Sequence, residues 1–317
     1  DSDDNPAIIV NNYDWFKGMS FLDFIRDIGK HIGIGYMMAK DSVKSRLEKG
    51  LSFTEFTYQL VQGYDFVHLH KNYGCTLQMG GSDQWGNITT GTELIRKMDG
   101  GEVFAATCPL IKKADGTKFG KTAGGNVWLD RNRTSPYQFY QFWLNTSDAD
   151  AKNYIRIFTF LDKETIEQLE VEHEKAPHLR PLQKALAEDI TVRVHSREDF
   201  EKAVWSSEIL FDKKATKDSL AQLDEDVILS SYEGCPVANI PKSKFDSGIN
   251  LADLIAEEAQ FLPSKGEVRR AVKEGSLQIN REKVTDIEQV IQTSDLLKGK
   301  FLMVKRGKKG DFLVVAN

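Results

Sequence analysis

Asp83 and Gln84 stand in a Gly80-Gly-Ser-Asp-Gln84 turn. A short apolar run, Cys75-Thr-Leu-Gln-Met79, precedes it, and a helical pattern through Leu94, Ile95, Arg96 and Lys97 follows. The order is strand, glycine turn, helix, and in an open α/β sheet a ligand lies past the carboxyl ends of the strands. An ionised Asp83 can accept from two neighbouring hydroxyls, as on a ribose, while Gln84 can donate to a carbonyl oxygen and also accept. Gly81 has no Cβ, so the backbone there can approach a bound molecule closely. The plainer account is a turn with a helix cap. Upstream, Tyr58, Gln62 and Asp65 fall at i, i+4 and i+7 and share one helix face. A donor–acceptor pair with a carboxylate suits a polar pocket, and it equally suits a solvated stripe. Downstream, residues 112–125 mix glycines with lysines, including Lys118 and Lys121 beside Thr122. That composition points to a mobile loop rather than packed structure.

The elements that must position these groups follow from the local signals. Ser52-Phe-Thr-Glu55 is a capping box, with Leu51 and Phe56 placed for a hydrophobic staple. The helix it opens should turn Phe53, Phe56, Leu60, Val61, Tyr64 and Val67 inward. Ala7–Val10 reads as a short strand, residues 20–30 as a helix and residues 104–111 as another strand. Ser135-Pro136 starts a helix, and helical patterns continue over residues 183–194 and 198–210. Residues 231–248 are polar, contain glycine and read as a linker. The last seventy or so residues suggest two helices and several strands. Ser264, Lys265, Arg269 and Arg270, with Lys305, Arg306, Lys308 and Lys309, could make a basic face there.

The chain has 317 residues, of which 28% are charged and 40% hydrophobic, with a formal net charge of −5. That size fits two or three domains. The net charge gives no global basic field, so any RNA contact must come from local patches. Cys75, Cys108 and Cys235 have neither metal-ligand nor disulfide spacing. No apolar run approaches the ~20 residues of a membrane span. Asp1-Ser-Asp-Asp-Asn5 is no signal peptide, and a cytoplasmic location is expected.

Several ordered motifs together are similar to those of bacterial-type tyrosyl-tRNA synthetases, a class I family. They are G-G-S-D-Q-W-G-N-I at 80–88, A-D-G-T-K-F-G-K-T at 114–122, N-N-Y-D-W at 11–15, S-F-T-E-F-T-Y at 52–58 and S-P-Y-Q-F-Y-Q-F-W at 135–143. The resemblance implies an α/β fold in three parts. Residues 1–130 would be the C-terminal part of a Rossmann-like catalytic domain, residues 131–230 an all-helical anticodon-recognition domain, and residues 249–317 a small α+β (α-L) RNA-binding module.

It also implies roles for the site residues. Tyr58 and Gln62 would hold the α-amino group of L-tyrosine, with Gln84 beside them, and Asp65 would accept from the phenol hydroxyl. Asp83 and Gly81 would meet ATP. Lys121, Lys118 and Thr122 occupy the K-M-S-K-S-like signature, where lysines stabilise the triphosphate charge. Mg²⁺ would accompany ATP. Arg96 and Lys97, with Lys265, Arg269 and Arg270, would meet tRNA(Tyr), and the region around Phe53 would join a homodimer.

His31-Ile-Gly-Ile34 is not the family's H-I-G-H signature, which lies before the N-N-Y-D-W loop. The first strand and that helix are therefore expected to be missing, and this chain alone to be inactive. Two alternatives remain at this stage: a tryptophanyl-tRNA synthetase, and a non-catalytic RNA-binding protein derived from a synthetase.

Overall fold

The computed structural model describes residues 6–47, 50–117, 119–122, 125–212, 214–307 and 310–317. It divides into two compact units, Asp1–Lys112 and Lys113–Asn317.

In the first unit four short helices, α1 (Tyr13–Phe16), α2 (Phe21–Asp27), α3 (Ile34–Met38) and α4 (Asp41–Leu47), lead to the long helix α5 (Phe53–Tyr73). The capping box forms as expected: the Ser52 hydroxyl accepts from the Glu55 amide, and the Glu55 carboxylate accepts from the Ser52 amide. Gly74, in the left-handed region at φ 68°, ends the helix. Strand β1 (Leu77–Gly81), helix α6 (Trp85–Met98) and strand β2 (Phe104–Cys108) follow, and β1 pairs with β2 in parallel, Leu77 opposite Phe104 and Gly81 opposite Cys108.

Helix α5 lies against α6 where glycine meets glycine. A Cβ on Gly63 would come 3.0 Å from Leu94 Cδ1 and 3.3 Å from the Gly91 amide nitrogen. One on Gly91 would come 2.9 Å from Phe66 Cβ. The missing side chains let the backbones approach, and Leu60, Phe66, Val67, Leu94 and Ile95 close the core around the crossing with Ile28, Ile32 and Met37.

Two expectations fail here. Phe53 is exposed rather than inward, on the first turn of α5. Ala7–Val10 forms no strand, and Ile9 is fully exposed. A strand needs a partner for its amides and carbonyls, and among the described residues this run has none.

The second unit begins with β3 (Lys121–Thr122) paired to β4 (Gly125–Asn126). Helices α7 (Pro136–Leu144), α8 (Asp148–Phe158), α9 (Lys163–Lys175), α10 (Pro181–Val194), α11 (Arg197–Phe211), α12 (Lys217–Ala221) and α13 (Glu225–Ser231) follow. Caps explain most of their starts: Ser135, Ser147, Asp162, Ser196 and Thr216 each accept from an amide three residues on.

Then come β5 (Val237–Ile240), α14 (Lys242–Asp246), β6 (Ile249–Asn250), α15 (Leu251–Asp253), α16 (Lys265–Lys273), β7 (Leu277–Ile279), β8 (Glu282–Lys283), β9 (Val290–Ile291), β10 (Phe301–Arg306) and β11 (Gly310–Ala316). Among the described residues one sheet runs β5-β11-β10-β7-β8, parallel only between β5 and β11. The span 231–248 is therefore not a linker. Its Val237–Ile240 segment is an edge strand of that sheet, and Ile240 and Phe245 enter the core beneath it.

The close crossing gives a test. Gly91→Ala adds helix propensity of about 1 kcal/mol but forces a methyl into Phe66. A net loss of roughly 1–3 kcal/mol in urea unfolding is expected. An unchanged or raised midpoint would contradict this account of the crossing.

Candidate active site

Three helix residues and one turn make the polar part of the first unit. Gln62 and Asp65 are half-buried on α5, while Tyr58, a turn earlier, is 56% exposed. The Tyr58 end of that face is therefore open to solvent.

Asp65 is held by the 11–15 segment. Trp15 Nε1 donates to Oδ1 at 2.9 Å and Asn12 Nδ2 donates to Oδ2 at 3.3 Å. The Trp15 ring also stacks on His68, centroids 4.3 Å apart. Burial raises the Asp65 carboxyl above its usual range, and the two donors pull it part of the way back. A carboxylate has about four lone-pair sites, so Asp65 keeps acceptor capacity for a further hydroxyl.

Gln62 connects to the turn through a residue that the sequence did not single out. Asn87 Nδ2 donates to Gln62 Oε1 at 2.9 Å and lies 3.4 Å from Gln84 Oε1, and Gln84 Nε2 donates to Asp83 Oδ2 at 3.0 Å. The helix crossing brings Gln62 and Asn87 together, since Gly63 and Gly91 are their neighbours on α5 and α6. Asp83 itself is exposed.

Gly81 has an extended backbone, φ −71°, and no conformational need for glycine. A Cβ there would stand 2.7 Å from Asp83 Oδ1 and 2.9 Å from Leu110 Cδ2. The glycine makes room for protein side chains first. Asn12, Trp15 and Asn87 all lie inside quoted motifs. The signal that could have found Trp15 is that an indole N–H is a donor only and seeks an acceptor when half-buried.

Four of the candidate tRNA contacts, Arg96, Lys97, Lys265 and Arg270, are engaged within the protein. Arg96 grips Glu93 with two bonds of 2.9 and 2.8 Å, and Lys97 reaches Glu93 at 3.1 Å and the His31 carbonyl at 2.9 Å. The Arg96 hydrogen bond, aided by Lys97, holds the Glu93 carboxyl down at about 2. In the second unit Lys265 bridges Asp253 and Glu257, and Arg270 and Arg306 share Glu267. Lys305 pairs with Asp311. Arg269 is exposed.

The loop expected to be mobile is anchored at two points among its described residues: the Ala114 amide donates to Asp150 Oδ1 at 2.6 Å, and Phe119 is packed. Phe119 packs among Phe142, Trp143, Tyr154 and Phe158, with centroids 5.0–5.9 Å away. Lys121 and Thr122 are on β3. Lys118, like Lys308 and Lys309, lies outside the described residues.

Residues 2–212 match the family described as tRNA synthetases class I (W and Y), which defines the class. Residues 232–314 match the tyrosine–tRNA ligase SYY-like C-terminal domain. Over 316 residues the chain is 60% identical to the tyrosine–tRNA ligase of Bacteroides thetaiotaomicron, covering 98% of this chain and 73% of that protein. Identity to the Porphyromonas gingivalis enzyme is 59%, with the same coverage. A C-terminally truncated mitochondrial tyrosyl-tRNA synthetase of Aspergillus nidulans superposes with a TM-score of 0.53 at 32% identity, over 63% of this chain and 57% of that one. The chain belongs to the tyrosine–tRNA ligase family.

Among the described residues no helix is long and apolar enough to cross a membrane.

Trp15→Phe removes a donor that serves ionised Asp65. A carboxyl raised by burial contributes stability that is fully present below its unfolded value, 3.8. That contribution is lost as pH rises through the folded value. Without its indole donor the ionised form costs more, so Trp15→Phe should lose on the order of 1 kcal/mol more at about pH 7 than at about pH 4. Urea midpoints at the two pH values measure this, and equal losses would contradict it.

Proposed function

We propose that the protein activates L-tyrosine with ATP to tyrosyl-adenylate and transfers the tyrosyl group to tRNA(Tyr). The observation that carries this is Asp65, a half-buried acceptor held by Trp15 and Asn12 on the helix face that also bears Gln62. A phenol hydroxyl donates to Asp65, while Tyr58 and Gln62 receive the α-ammonium group and Gln84 orients the substrate's carboxylate end. Phenylalanine would leave the acceptor unpaired, and an unmet buried acceptor costs more than a missing contact. Asp83 takes the ribose hydroxyls of ATP, with the Gly81 backbone against the nucleotide.

In activation a tyrosine carboxylate oxygen attacks the α-phosphorus in line. The bond from phosphorus to the bridging oxygen breaks, and pyrophosphate leaves with that electron pair. No protein side chain forms a covalent bond, so catalysis rests on orientation and charge stabilisation. Lys121 and Lys118 supply that charge at the triphosphate, with Thr122 beside them. Mg²⁺ would accompany ATP and offset the charge of its phosphates. Among the described residues there is no group of three or more His, Cys, Asp or Glu side chains placed to hold a metal ion.

The Rossmann-like reading of the first unit draws support from its parallel strand pair and glycine turn. The helices α7–α13 suit an anticodon-recognition domain, and residues 249–317 an α-L RNA-binding module. Arg96, Lys97, Lys265, Arg269 and Arg270 are the proposed tRNA contacts. Those that are ion-paired exchange a carboxylate for a phosphate on binding, so their contribution falls with salt. Exposed Phe53 supports a homodimer through its surroundings, and we place the enzyme in the cytoplasm. The tryptophan alternative is weaker, since the relatives named above and the C-terminal match are all of the tyrosine kind.

Tyrosine-dependent exchange of pyrophosphate into ATP tests the reading in the full-length gene product. Exchange should be supported by tyrosine and not by tryptophan, and a preference for tryptophan would overturn the proposal. Asp65→Ala should narrow the preference for tyrosine over phenylalanine by at least about tenfold. Lys121→Ala should lower kcat by about a hundredfold or more with a smaller change in KM for tyrosine.

A further inference from the structure

Asn87 lies between the two glutamines of the proposed amino-acid site. The order of donors in this chain of side chains follows from Asp83. An ionised carboxylate only accepts, so Gln84 must turn Nε2 toward it, as it does at 3.0 Å. Its Oε1 then faces Asn87, which must present its own amide nitrogen, at 3.4 Å. The same nitrogen reaches Gln62 Oε1 at 2.9 Å. An NH₂ group has two hydrogens, so one nitrogen can serve both glutamine carbonyl oxygens.

We infer that Asn87 is a positioning residue that fixes the amide orientation of Gln62 and, because Gln84 is itself turned by Asp83, couples the nucleotide-side carboxylate to the ammonium site. The inference rests on the proposed function. An ammonium group needs an acceptor from Gln62, and an amide turned by 180° would offer it hydrogens instead. With Asn87 donating, Gln62 Oε1 is held in place and retains its second lone pair. Without that donor nothing on α6 selects between the two orientations. The sequence favours the same geometry: Asn87 is three residues past Gln84, which holds the N-cap position of the helix, and four before Gly91, where a Cβ would meet Phe66 of α5.

Two variants and two ligands test this in the full-length protein. Asn87→Leu keeps the branching and number of heavy atoms, though it is bulkier, and removes the donor, whereas Asn87→Ser is smaller and keeps a hydroxyl donor. Tyramine has an ammonium group and no carboxylate, and 3-(4-hydroxyphenyl)propionate has a carboxylate and no ammonium. Calorimetric affinities should show Asn87→Leu weakening tyramine by at least about tenfold and 3-(4-hydroxyphenyl)propionate by less than about twofold. Asn87→Ser should retain more tyramine affinity than Asn87→Leu.

Equal weakening of both ligands, no weakening of either, or a better result for leucine than for serine would overturn the inference. Should Asn87→Leu fail to fold, the two ligands compared in Asn87→Ser decide by the same selectivity. Failure of the wild-type protein to bind tyramine at all would instead remove the functional reading, so the two failures are distinct.

Discussion

Two glycines set the geometry on which the rest of the first unit depends. Gly63 on α5 and Gly91 on α6 let the helix backbones meet with no side chain between them. That approach sets Gln62 beside Asn87 and so joins a helix face to the turn at the end of β1. A larger residue at either position would move α5 outward, and Gln62 and Asp65 with it. The apolar core around the crossing gives the contact its stability, while the polar side chains next to it carry the proposed chemistry.

The site's electrostatics are set by few groups. Asp65 is costly to ionise where it lies, and Trp15 and Asn12 reduce that cost without consuming all its acceptor capacity. On the proposed reading, selectivity for a hydroxyl comes from leaving one acceptor unmet until substrate arrives. The cations proposed for tRNA behave differently. They are held in local ion pairs such as Arg96–Glu93–Lys97, and exposed pairs of this kind contribute little stability. They can exchange partners at small cost, which suits a surface that binds and releases a polyanion.

Much of this was legible in the sequence where a local rule decides the outcome. Ser52–Glu55 forms the box that its spacing announces, Ser135-Pro136 starts a helix as its residue types suggest, and Gln62 and Asp65 share the face that helical periodicity gives them. What was not legible depended on a partner distant in the chain. Glycine inside a helix reads as a propensity cost until a second helix is seen to press on it. Asn87 reads as an ordinary helix residue until Gln62 arrives from 25 residues away. Phe119 sits in a loop whose glycines and lysines suggest mobility, yet four aromatic rings from α7 and α8 hold it. Ala7–Val10 has strand composition but no strand among the described residues pairs with it, and Val237–Ile240 has little composition signal but an edge of β11 to pair with.

The central claim is that the α5 face with Asp65 and Gln62 receives an amino acid bearing an aromatic alcohol. A crystal structure of the full-length protein with a non-hydrolysable tyrosyl-adenylate analogue tests it most directly. The account predicts the phenol oxygen within hydrogen-bond distance of Asp65 and the ammonium nitrogen at Gln62 Oε1. An analogue bound with its ring away from α5, or with Asp65 still contacting only Trp15 and Asn12, would contradict it.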